Sequence, residues 1–102
     1  MAWLAAGDPA SIDEGKVQVV DVDGHRLAVC HTEGAFYAVD DICSHDGGHL
    51  DQGEVRGLLI ECPRHGAQFD VTNGKPRSLP AVRPIKAYET RVVDGKIEVN
   101  IA

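Results

Sequence analysis

The segments Cys43-Ser44-His45 and Cys62-Pro63-Arg64-His65-Gly66-Ala67-Gln68-Phe69-Asp70 decide how this chain is read. Each opens on a cysteine and reaches a histidine within three positions, and sixteen residues (46–61) separate His45 from Cys62. Thiolate suits zinc, copper(I) and iron–sulfur clusters, whereas imidazole suits zinc and iron, so Cys43, His45, Cys62 and His65 limit the candidate metals. A structural zinc site uses the same set of two thiolates and two imidazoles, but the C-x-H pair is shorter than the usual zinc spacing.

Both pairs follow apolar, strand-like runs. Ala35–Asp40 delivers Cys43, and Leu58–Glu61 leads directly into Cys62. Ligands at the ends of packed strands are held in place before a metal arrives. Outward from there, short apolar runs alternate with turn signals along the whole chain. Lys16–Val22 and His25–Thr32 flank Asp23-Gly24, a hairpin signal because a type I′ turn needs positive φ. Ala35–Asp40 follows Glu33-Gly34, Gln68–Val71 runs into Asn73-Gly74, and Lys86–Val93 with Lys96–Ile101 forms a last hairpin about Asp94-Gly95. Pro80 and Pro84 place a loop over 79–84, since proline is poor in a central strand. One short helical turn is expected near Pro9–Glu14, capped by Asp8. Eight or nine short strands with regular turns predict an all-β fold, an antiparallel sandwich or barrel. At 102 residues this reads as one domain, residues 1–102, with the metal-binding lobe spanning about 40–82.

Composition narrows the functional classes. Hydrophobic residues make up 43% of the chain, enough for a packed core. No run approaches the ~18 apolar residues of a membrane helix. The start, Met1-Ala2-Trp3-Leu4, carries neither a basic segment nor a long apolar one, so no secretion signal is expected and the cytoplasm is the expected location. Three cysteines are too few and too odd for a disulfide framework. The net charge is −6, and from Asp40 to Glu54 there are five acids (Asp40, Asp41, Asp46, Asp51, Glu54) and no Lys or Arg. Such a surface repels nucleic acid and anionic membranes and attracts a partner with a basic docking face.

The pattern C-x-H…C-x-x-H, together with His65-Gly66-Ala67-Gln68-Phe69-Asp70, resembles the Rieske ferredoxin family over about Phe36 to Pro84. The resemblance implies a cluster-binding lobe of Rieske type and one [2Fe–2S] cluster per chain. In it Cys43 and Cys62 hold one iron, and His45 and His65 hold the iron that is reduced and lies at the exposed tip. With two thiolates and two neutral imidazoles the oxidised cluster is uncharged, so adding an electron costs less than in an all-thiolate site. Reduction should also raise the imidazole pKa values and make the potential pH-dependent. Glycines in both loops, Gly47-Gly48 and Gly66, let backbone N–H groups approach the sulfides.

Two departures separate this sequence from the Rieske proteins of respiratory cytochrome complexes. Gly48 and Arg64 stand where those carry an extra pair of cysteines, joined in a disulfide, and Ala67 and Phe69 stand where those carry Ser and Tyr hydroxyl donors. Both changes place the expected potential at the low end of the Rieske range of about −150 to +300 mV. The chain looks most like the ferredoxin component of bacterial aromatic-ring dioxygenase systems. The resemblance therefore implies a soluble, monomeric carrier that takes one electron from an NAD(P)H-dependent flavoprotein reductase and gives it to a terminal oxygenase. Catalysis of its own is not expected: no His follows His65 to build a mononuclear iron site, and no Gly-rich nucleotide fingerprint occurs. A small Rieske subunit of an assimilatory nitrite reductase and a structural zinc module are the alternative readings. His49 is a rival to His45 but reads as a solvated loop residue, His25 as surface, His31 as a plain strand residue, Cys30 as a small buried apolar group and Trp3 as a packing residue.

Overall fold

The computed structural model describes residues 2–43, 48–63, 66–79 and 83–101. The apolar alternation of the sequence becomes ten short strands: β1 (Trp3–Gly7), β2 (Lys16–Val22), β3 (His25–Thr32), β4 (Ala35–Asp40), β5 (Glu54–Arg56), β6 (Leu59–Glu61), β7 (Gln68–Asp70), β8 (Pro76–Ser78), β9 (Ala87–Val93) and β10 (Lys96–Asn100). A six-stranded sheet runs β1-β10-β9-β4-β3-β2, and a four-stranded sheet runs β5-β6-β7-β8, with every pair antiparallel. β1 also lies against β2, so the larger sheet curls toward a barrel. The expected all-β class holds, as do the bounds of β2, β3 and β4. The expected turn near Pro9–Glu14 is a single 3₁₀ turn, Pro9–Ser11, where the Asp8 carboxylate accepts the Ala10 amide at 2.9 Å.

Three hairpins close through turns in which two consecutive residues have positive φ: Asp23 (51°) with Gly24 (80°), Glu33 (53°) with Gly34 (73°), and Asp94 (51°) with Gly95 (74°). That geometry matches the right-handed twist of the flanking strands. β1, β5 and β8 were not among the expected strands. Each is short and lacks a β-branched run, and each is ordered by its neighbour: β1 by β10, β5 by β6, β8 by β7.

β3 is covered on both faces. Leu27, Ala28, Val29 and Cys30 are all fully buried, and period-two alternation sends them to different cores. Leu27 and Val29 join Ala6, Ile12, Val22, Ala38, Tyr88, Ile97 and Val99 inside the barrel. Ala28 and Cys30 join Val39, Cys43, Leu50, Ile60, Cys62, Phe69 and Val71 under the four-stranded sheet. The Thr32 hydroxyl adds a polar tie, donating to the Gly57 carbonyl in the β5–β6 turn at 2.5 Å.

Cys30 thus fills the wall between barrel and lobe, as its sequence context predicts, and burial pushes its thiol up to about 12. The thiolate is the nucleophile, so the folded protein should resist iodoacetamide at Cys30 at pH 8, while the denatured chain should react there. Peptide mass mapping after each treatment checks this; a Cys30 adduct on the folded protein would contradict the burial.

Candidate metal centre

Cys43 and Cys62 both belong to the lobe core, at 0% and 1% exposure, and no disulfide joins the three cysteines. β4 ends at Asp40 and β6 at Glu61, so each cysteine follows the end of a strand, as expected. The two turns they open are closed alike. The Cys43 amide donates to the Gly48 carbonyl at 2.6 Å, and the Cys62 amide donates to the Ala67 carbonyl at 2.7 Å. In both, the acceptor lies five residues on. The second turn is tightened by the Gly66 amide donating to the Cys62 carbonyl at 3.1 Å, with Gly66 at φ 77°.

His45 and His65 fall within these two closed spans and lie outside the described residues, as do Asp46, Gly47, Arg64 and the expected loop's 80–82. The structure therefore brings the two cysteines into one core. Two like turns, each presenting a buried thiol and enclosing one histidine of the sequence, suit a group with paired ligands. Phe69 and Ala67, where hydroxyl donors are lacking, are both fully buried beside the second turn.

The acidic stretch is not the uniform surface expected from the sequence. Glu54 is exposed and pairs with Arg56 at 2.7 Å, but the Asp41 side chain is fully buried and that of Asp51 is 11% exposed. Asp40 accepts the Tyr88 hydroxyl at 2.6 Å, and burial, reinforced by that bond, raises the Tyr88 pKa. Asp41, His49 and Asp51 bring potential ligand atoms within 4.8 Å of one another. The Arg26 guanidinium, itself half exposed, already faces both carboxylates, with Nε 2.8 Å from Asp41 and Nη2 3.6 Å from Asp51, so the group reads as two carboxylates gripping an arginine at the surface. Sequence reasoning missed Asp41. An acid two positions before a cysteine gives no sign of burial when its partners come from β3 and from residues nine and ten further on.

The other histidines fall as expected. His25 is exposed near the Tyr88 ring. His31 is a strand residue stacked on Phe36 at 4.3 Å, with Nδ1 donating to the Ile12 carbonyl at 2.8 Å. His49 is half exposed, its Nδ1 3.1 Å from the Asp41 carbonyl oxygen. Trp3 packs on the β1 edge beneath the Arg91 guanidinium, 4.1 Å from the ring centroid.

Among the described residues, no helix is long and apolar enough to cross a membrane. The chain is 34% identical over 100 residues to the ferredoxin component of the naphthalene 1,2-dioxygenase system of Pseudomonas putida, covering 98% of this chain and 96% of that one. It superposes on the ferredoxin of carbazole 1,9a-dioxygenase from Nocardioides aromaticivorans with a TM-score of 0.92 and 34% identity, covering 97% of each chain. It is also similar to a chain in a complex of reduced oxygenase and oxidised ferredoxin of carbazole 1,9a-dioxygenase, with a TM-score of 0.88 and 35% identity over 95% of this chain and 91% of that one. The Rieske [2Fe–2S] domain family matches residues 2–89, the span that holds both cysteine turns and the β3–β4 wall beneath them, and the chain belongs to that family.

Proposed function

We propose that this chain is a one-electron carrier of a multicomponent aromatic-ring dioxygenase system, acting as a single Rieske domain over residues 1–102. It takes its electron from an NAD(P)H-dependent flavoprotein reductase and delivers it to a terminal oxygenase. The observation that carries the reading is the pair of like turns that bury Cys43 and Cys62 in one core, within a chain of the Rieske family. Cys43 and Cys62 would hold one iron of the [2Fe–2S] cluster, and His45 and His65 the other. When bound, the cluster supplies a one-electron couple. The protein's part is to present two thiolates from strand ends, to keep water from the sulfurs by packing Leu50, Ile60 and Phe69 around them, and to leave an approach for partners.

That approach has an apolar element on each side. Ile42, next to Cys43, is 45% exposed, and Leu79, next to Ser78, is 78% exposed. The Ser78 hydroxyl donates to the Gly66 carbonyl at 3.4 Å, so Leu79 directly follows a residue bonded to the second turn. Exposed apolar side chains beside an electron-transfer site form the centre of a docking contact, and the exposed Glu54 with its neighbours supplies part of a charged rim. Three cysteines outside any disulfide suit a reducing cytoplasm. The similar proteins at about a third identity are named ferredoxin components, which favours a carrier over a nitrite reductase subunit or a zinc module.

Visible absorption and low-temperature EPR spectra of the purified protein, before and after dithionite, test the reading directly. A red-brown sample with a rhombic signal of mixed nitrogen and sulfur ligation supports it; a colourless, EPR-silent sample holding one zinc rejects it. Cys43→Ser and His65→Ala should each abolish that spectrum, and a native-like spectrum in either would remove that ligand from the set. The absent hydroxyl donors predict a second outcome. Ala67→Ser and Phe69→Tyr should each raise the reduction potential, by on the order of 40 mV for each hydrogen bond gained at about 1 kcal/mol. Protein-film voltammetry reads the shift, and an unchanged or lowered potential in both would show that these positions do not reach the cluster.

A further inference from the structure

Asp41 lies between β4 and Cys43, and its side chain is fully buried. A carboxylate in that position is tolerated only if its oxygens are bonded. Oδ1 accepts the Leu50 amide at 2.8 Å and the Asp51 amide at 2.7 Å, and Oδ2 accepts Arg26 Nε at 2.8 Å. Its backbone takes part as well: the Asp41 amide donates to the Arg26 carbonyl at 3.0 Å, and His49 Nδ1 lies 3.1 Å from the Asp41 carbonyl oxygen. One residue therefore joins three pieces of chain. These are β3 through Arg26, the strand end that leads to Cys43, and the segment 49–51 that returns just past Gly48, the residue closing the Cys43 turn.

The second turn is held differently. There the Ser78 hydroxyl accepts the Gln68 amide at 3.1 Å and donates to the Gly66 carbonyl at 3.4 Å, with no charge involved. Charge-assisted hydrogen bonds are shorter and about twice as strong as neutral ones. The first loop is thus held by a buried carboxylate bonded to a half-exposed arginine on the barrel wall, and the second by a neutral hydroxyl within the lobe.

We propose that Asp41 is a positioning residue for the first ligand loop: by gripping Arg26 on one side and the Leu50 and Asp51 amides on the other, it fixes both ends of the loop that carries Cys43 and His45. The proposal rests on the assignment of Cys43 as a cluster ligand. The side-chain bonds of Asp41 go to Arg26 and to the Leu50 and Asp51 amides; it acts through the loop.

Asp41→Asn is the informative variant, because the amide keeps the size but turns a donor toward either Arg26 or the two backbone N–H groups. Three quantities are compared with the wild type, all on the cluster-loaded chain: the melting of the far-ultraviolet circular dichroism, the rate of loss of visible absorbance below that melting, and the EPR g-values after dithionite. The expected result is cluster loss about tenfold faster while the barrel signal is intact, the factor a single lost hydrogen bond to a charge carries, together with altered g-values. Ser78→Ala should accelerate loss less. Wild-type loss rate and g-values in Asp41→Asn would overturn the proposal, and so would cluster loss that occurs only as the barrel itself melts, since Asp41 would then act through global stability alone. Should Asp41→Asn fail to accumulate, Arg26→Ala removes the side-chain tie to β3 and leaves the backbone bond to residue 26 and the two amide bonds; the same measurements apply, with the same two results against the proposal. If the wild type carries no cluster, the ligand assignment fails, and the clamp is judged by amide hydrogen exchange at Leu50 and Asp51. There, faster exchange in Asp41→Asn supports the grip on the loop and unchanged exchange refutes it.

Discussion

The alternation Leu27-Ala28-Val29-Cys30 places four consecutive buried side chains on opposite faces of one strand, and both cores are built on it. A strand covered on only one face can shift by a residue at the cost of exposing half its apolar atoms. A strand covered on both faces cannot shift at all without disrupting two cores. β3 is therefore the fixed wall of the molecule. β4 pairs along it from Leu27↔Asp40 to Thr32↔Ala35, and the end of β4 is where Cys43 leaves the sheet. The position of the first cysteine is inherited from the packing of a strand more than ten residues earlier.

This division explains how a small chain carries a demanding site. The barrel core contains Val, Ile, Leu, Ala and Tyr and has no cysteine, so it can fold as ordinary hydrophobic packing. The lobe core contains all three cysteines and rests on the outer face of the β3–β4 wall. Gly53 marks how closely the lobe is drawn together. A Cβ there would collide with the Glu61 carbonyl, just before Cys62. Support from the barrel leaves Ile42 and Leu79 exposed on the lobe, where packing for stability alone would have covered them.

Charge is used inside as well as outside. The run from Asp40 to Glu54 contains acids doing different work: Asp40 ends the tyrosine hydrogen bond, Asp41 and Asp51 surround Arg26, and Glu54 meets solvent beside Arg56. An electrostatic steering argument built on all five would overcount the exposed charge. Among the described acids of this run, only Glu54 is exposed. For an electron carrier, modest exposed charge favours fast encounter over long residence.

The sequence by itself determined the class of the fold, the long strands β2, β3 and β4, the three Gly-closed hairpins and the cysteine pair at strand ends, because each of these follows from local rules of alternation, turn chemistry and ligand type. Its motif also carried the cluster type and the family. It did not reveal β1, β5 or β8, since Trp3–Gly7, Glu54–Arg56 and Pro76–Ser78 have little intrinsic strand preference and become strands only by hydrogen bonding to β10, β6 and β7. Nor did it separate the buried Asp41 from the exposed Glu54, both of which read as acids in a polar loop. Burial of a charge is decided by whether an arginine and two backbone amides converge on it. Here they converge from positions 26, 50 and 51, brought together only when β3 and β4 have paired and the segment after Gly48 has returned to the strand end.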